Sequence, residues 1–134
     1  MKATSRMAVM EMGVPELDEG HGRIARILGK VAGLSQDGQS GRVREVLEEL
    51  KTASEQHFRV EEDWMAAIGY GGLAEHKALH DNEIARIADL IQRIADGGVR
   101  PDPRLTLPFA IWFQEHVRTA DLDLADAIRN RRRK

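Results

Sequence analysis

The sequence predicts an all-α protein, an up-down-up-down antiparallel four-helix bundle preceded by an N-terminal arm. Three observations lead there. Glycine and proline gather into three breaks, at Gln36–Gly41, Gly69–Gly72 and Gly97–Pro103. Between the breaks, apolar residues recur every three or four positions, the period of a helix with one buried face. No stretch of useful length alternates apolar with polar residues as a half-buried strand would.

The first helix is expected over about residues 18–34, with Asp18 as N-cap and Ile24, Ile27, Leu28, Val31 and Leu34 as its buried stripe. The second spans about 41–68, where Val43, Val46, Leu47, Leu50 and Ala53 lead into His57, Val60, Trp64 and Met65. The third covers about 73–95, with Leu79, Ile84, Ile87, Leu90, Ile91 and Ile94. The fourth runs over about 105–129, and Pro108 must lie in its first turn, where a missing N–H is tolerated. Short links between long helices make neighbours antiparallel. At 134 residues the chain is read as one domain: an arm at 1–17, the bundle at 18–130 and a basic tail at 131–134. Methionines 1, 7, 10 and 12 of the arm are expected to pack across the bundle end, and the tail arginines to complement the last helix's negative C-terminus.

Composition narrows the function. A net charge of −2 argues against general nucleic-acid binding, and the lack of cysteine excludes disulfides, thiolate zinc sites and iron–sulfur clusters. No apolar run is long enough for a transmembrane helix, and Glu11 interrupts the N-terminal apolar stretch, which makes a poor signal peptide. The expectation is a cytoplasmic monomer.

Histidine carries the chemical information. The five are His21, His57, His76, His80 and His116, and each expected helix holds at least one. His76 and His80 lie four apart, so both imidazoles leave one face, and His57 with Glu61 repeats the spacing. His116 is followed by Asp121. A lone helical histidine is usually ordinary, and a His–Glu pair at this spacing can be a simple intrahelical contact. Here the neighbours are apolar (Phe58, Val60, Trp64, Leu79, Trp112 and Val117), and burying so many polar groups without partners is costly. A metal centre satisfies them together. Imidazole and carboxylate without thiolate suit iron, zinc, copper or manganese. Seven donors exceed one tetrahedral zinc but suffice for two ions if the carboxylates bridge. Carboxylate-rich di-iron bundles use Glu-x-x-His pairs. None occurs here, since the residues three before the histidines are Asp18, Ser54, Leu73, Lys77 and Phe113. One spacing is awkward: five residues turn an α-helix by about 140°, which aims Asp121 away from His116. A π-bulge between them is therefore expected.

The order His, His-x-x-x-Glu, His-x-x-x-His, His-x-x-x-x-Asp resembles the hemerythrins, specifically the single-domain bacterial ones. The stretches Gly13–His21, His57–Met65, Tyr70–His80 and Trp112–Asp121 carry the resemblance, which covers about residues 13–125. It implies a di-iron centre with an oxo or hydroxo bridge. His76, His80 and His116 would complete one iron, His21 and His57 the other, and Glu61 and Asp121 would bridge them. O2 would bind reversibly at the open His21/His57 iron, for storage, delivery or buffering, with no catalytic residue required. An oxygen or redox sensor, or a di-iron enzyme reducing peroxide or nitric oxide, are the alternatives. The O2 pocket would map onto Ile24, Phe58, Trp112, Phe113 and Val117. The chain departs from the family in the glycines flanking His21 (Gly20 and Gly22), in Gly71, Glu83 and Leu124, in the bulk of Phe113, and in lacking a tryptophan near Arg6–Val9. These departures bear on oxygen affinity and autoxidation.

Overall fold

The computed structural model describes residues 11–34 and 42–132. Met1, Met7 and Met10, the Gln36–Gly41 break, and Arg133 with Lys134 lie outside them. The elements are α1 (Pro15–Leu34), α2 (Val43–Ile68), α3 (Leu73–Ala95), a 3-10 turn (Pro103–Thr106), α4 (Leu107–His116), a π-helical segment (Val117–Asp121) and α5 (Leu122–Arg132). The last three run on as the fourth helix of the bundle. No strand occurs among the described residues, and no helix among them is long and apolar enough to cross a membrane.

The first helix begins three residues earlier than expected. Pro15 takes its first position, where a preset φ helps and the absent N–H costs nothing. The Val14 carbonyl accepts from the N–H groups of Leu17 and Asp18, each at 2.9 Å. Asp18 is thus inside the helix and not its N-cap. Its Oδ1 instead accepts from the Met12 N–H at 2.8 Å and ties the arm down, and Met12 is buried.

The core is continuous. Leu17, Ile24, Ile27 and Val31 of α1 meet Val46, Leu47, Leu50 and Met65 of α2, Ile87 of α3, and Phe109, Phe113, Leu124 and Ile128 of the fourth helix. Three expected core residues lie outside it: Val60 is 38% exposed, Leu79 43%, and Ile84 is half-buried. The inward stripe of α2 is taken by His57, Glu61 and Met65, and that of α3 by His76, His80, Glu83 and Ile87. Helical periodicity then rotates Val60 and Leu79 outward. α2 ends at Gly69, whose φ of 68° lets the Tyr70 N–H return to the Met65 carbonyl at 2.9 Å.

Arginines of α5 do more than complement a helix dipole. Arg129 donates to the Met12 carbonyl. Arg131 reaches the Ile68 carbonyl at 3.4 Å, at the end of α2. Arg132 pairs with Glu16 at 3.2 Å and lies 5.0 Å over the Trp64 ring. The fourth helix therefore clamps the start of α1 and the end of α2. A chain ending at Asn130 should lose about 1 kcal/mol of stability at most, because these side chains are half exposed. Urea unfolding at low and high salt checks this, and the Glu16 share should fade with salt.

Candidate metal centre

Every helix of the bundle sends a side chain to one buried point. α1 contributes His21, α2 His57 and Glu61, α3 His76 and His80, α4 His116 and the π segment Asp121. All seven are buried; His21, Glu61 and Asp121 are wholly so.

The π segment solves the awkward spacing. The Leu122 N–H donates to the Val117 carbonyl, five residues back, so the ladder slips by one residue and Asp121 returns to the face of His116. Asp121 Oδ1 lies 3.0 Å from His116 Nε2. The Thr119 hydroxyl takes the Glu115 carbonyl at 2.8 Å, occupying the acceptor its own N–H would use in a regular turn.

The carboxylates divide the cluster into two halves. Glu61 Oε1 stands 3.1 Å from His76 Nε2 and 3.0 Å from His80 Nε2, while Oε2 stands 2.9 Å from His57 Nε2 and 3.5 Å from His21 Nε2. Asp121 Oδ1 faces His76 and His116, each at 3.0 Å, and Oδ2 faces His21 at 2.9 Å. Donor atoms of Glu61, His76, His80, His116 and Asp121 all lie within 4.8 Å of one another, and so do those of His21, His57, Glu61 and Asp121.

Several of these close atoms make no hydrogen bond. His57 Nε2, Glu61 Oε2 and Asp121 Oδ1 are buried without a partner of acceptable geometry. They aim at a shared centre more than at each other, which is how ligands of an ion are arranged. The donor set, nitrogen and oxygen without sulfur, fits a pair of first-row metal ions such as iron, zinc, copper or manganese. Without cations, protons must serve. Burial works to lower the His21 and His76 imidazoles, but Asp121 and Glu61 outweigh it and hold both at about 9. Burial works to raise Glu61, and the close imidazoles of His21, His57, His76 and His80 hold it well below the usual carboxylate range. Burial and Glu61 likewise work to raise Asp121, while His116, His21 and His76 hold it far down.

Neighbouring groups orient the imidazoles. Phe58 stacks on His80 with centroids 3.9 Å apart, and Trp112 stacks on His116 at 4.4 Å. Glu62 Oε2 accepts from His80 Nδ1 at 3.0 Å, which turns Nε2 toward the centre. Glu62 was not legible from spacing, since it meets His80 only once α2 and α3 pair. Of the five residues expected to line a pocket, Phe58 and Trp112 thus cover the three-imidazole half. Phe113 lies on the other, its ring edge-on to His21 at 5.8 Å. Ile24 and Val117 are buried nearby in the core. Glu83 is also buried, and burial pushes its carboxyl up against the pull of Arg86, 3.3 Å away.

Gly20 beside His21 has a steric reason. A Cβ there would stand 1.9 Å from His57 Nδ1, so the imidazole occupies the space of the missing side chain. Gly22 has no such constraint; a Cβ would meet Arg26 at an ordinary 3.5 Å.

Residues 12–128 match the family described as the hemerythrin HHE cation binding domain. The chain is 29% identical over 120 residues to a bacteriohemerythrin of Stenotrophomonas maltophilia, covering 90% of this chain and 78% of that one. It is 28% identical over 121 residues to a bacteriohemerythrin of Clostridium acetobutylicum, covering 87% and 94%. A crystal structure of wild-type hemerythrin superposes with a TM-score of 0.81 at 25% identity, covering 87% of this chain and 89% of the other.

Two outcomes follow from this geometry. Gly20→Ala should displace His57 and lower the metal content of the purified protein, whereas Gly22→Ala should bind metal normally and gain up to about 1 kcal/mol of stability. Metal analysis and thermal melts of the pair check this. In the metal-free protein, His21 and His76 are raised above their ordinary 6.5, so their contribution is complete below that value and lost as pH rises through about 9. The depressed carboxylates contribute above their ordinary range and lose that contribution as pH falls through it. The metal-free melting temperature should therefore peak at about pH 5–6 and decline toward 9. Bound metal replaces the protons, so calorimetry of the loaded protein should show no such alkaline decline.

Proposed function

This chain belongs to the hemerythrin family, and from that premise we propose that it binds O2 reversibly at a di-iron centre, for storage, delivery or local buffering. The observation that carries this reading is the division of Glu61 and Asp121, each with one oxygen toward the His76/His80/His116 half and the other toward the His21/His57 half. His76, His80 and His116 would hold one iron and His21 and His57 the other, with Glu61 and Asp121 shared between them.

The two irons, when ferrous, supply the electrons with which dioxygen is held. The protein's part is placement and exclusion. The His21/His57 half has one imidazole fewer, so an ion held there would have room for a small ligand. Ile24, Phe113 and Val117 are buried and apolar, and they keep water from that side. Phe58 and Trp112 fix the rings of His80 and His116 by stacking and shield the closed half. Reversible binding needs no side chain to carry a proton in or out, so none is assigned a catalytic role.

The test is optical. Loaded with iron and reduced without air, the protein should colour on exposure to O2 and bleach when O2 is removed, over repeated cycles, with two irons per chain. Immediate and irreversible oxidation would favour a sensor of oxygen or redox state, or an enzyme acting on peroxide or nitric oxide.

A further inference from the structure

Helix α2 buries one hydroxyl for which the bundle provides no use. Ser54 is 0% exposed, and its Oγ has no hydrogen-bond partner. A serine inside a helix usually returns its hydroxyl to the carbonyl four residues back, or turns it to water. Ser54 does neither, and a buried hydroxyl left unpaired is destabilising.

Its position supplies the reason. Residues 54, 57 and 61 lie on one stripe of α2, three and four apart, and His57 and Glu61 on that stripe reach the cluster. Ser54 stands about one turn, or 5.4 Å, toward the start of α2. On the antiparallel α1 that level corresponds to Ile24, one turn past His21. On the fourth helix it corresponds to Phe113, one turn before His116. Ile24 and Phe113 are buried and apolar, and the Phe113 ring abuts His21. Glu83 lies one turn past His80 on α3, but its carboxyl meets Arg86 and not Ser54. The layer beneath the two-imidazole half is thus apolar apart from a free O–H group and a carboxyl already engaged.

We propose that Ser54 donates a hydrogen bond to the small ligand held on the open, His21/His57 side, which rests on the di-iron reading above. The ligand class is a two- or three-atom molecule that carries negative charge when bound. A hydroxyl can donate to such a ligand, and a charged acceptor strengthens the bond. Ser54 then separates this site from a wholly apolar one, which would hold the same ligand by shape alone.

The test uses the full-length, iron-loaded, oxidised chain titrated with azide, with Ser54→Ala and Ser54→Thr beside it. Iron content should be equal in all three. Ser54→Ala should bind azide about tenfold more weakly, and its azide infrared band should no longer shift between H2O and D2O. Ser54→Thr, which keeps the hydroxyl, should restore both. In the metal-free state Ser54→Ala should melt no lower than the parent, since no bond is lost. Unchanged azide affinity and isotope shift in Ser54→Ala would overturn the proposal. So would a lower metal-free melting temperature or lost iron, since either gives the hydroxyl a structural partner. A parent chain that takes up no iron would instead defeat the di-iron reading, and the role of Ser54 with it.

Discussion

An ionised carboxylate shut away from water persists only if positive charge is brought to it, and Glu61 and Asp121 impose that requirement on every helix of the bundle. Five imidazoles answer it, drawn from α1, α2, α3 and α4. Protons on those imidazoles can neutralise the pair, as the upward displacement of His21 and His76 indicates. Their geometry suits cations better, because several donor atoms stand about 3 Å apart without the angles of a hydrogen bond. The polar centre and the apolar core are thus one design. Leucine, isoleucine and valine exclude water, and that exclusion makes the charge balance at the centre strict.

The same constraint explains the irregular backbone. An α-helix cannot present His116 and Asp121 on one face, and the π segment is the deformation that does so. Gly20 is a second concession. The His57 imidazole needs the space of a side chain on α1, and only glycine leaves it. Glycine inside a helix and a slipped ladder are both unfavourable locally, and both occur where the cluster requires them. Away from the centre the chain obeys ordinary rules, with Pro15 starting α1 and Gly69 ending α2.

Asymmetry between the two halves links this structure to the proposed chemistry. The three-imidazole half is crowded, with Phe58 and Trp112 stacked on two of its rings and Glu62 fixing a third contact at His80 Nδ1. The two-imidazole half has fewer donors and an apolar neighbour in Phe113. A crowded half beside a half with fewer donors suits the proposed centre, in which one position would exchange. The arginines of α5 tie the arm, α1 and α2 together at one end of the bundle.

Helical periodicity made the four helices legible, and α3 falls on the residues that its pattern marks, Leu73–Ala95. The histidine and carboxylate spacings marked the seven residues that the fold brings together, because i, i+4 placement is a local property of a helix. The His116–Asp121 interval even foretold the π segment, since only a distortion could reconcile the two. Other features depended on how helices face one another. Asp18 carries the side chain of an N-cap, yet its place was decided by Pro15 and by the Met12 amide it binds. Val60 and Leu79 look like core residues by composition, but the polar stripe of the cluster claimed the inward faces and turned them out. Glu62 beside His80, the room that Gly20 leaves for His57, and the unpaired hydroxyl of Ser54 are all relations between separate helices, or between a helix and a shared cavity. A sequence specifies which face of a helix is buried; what that face meets is decided only when the helices pack.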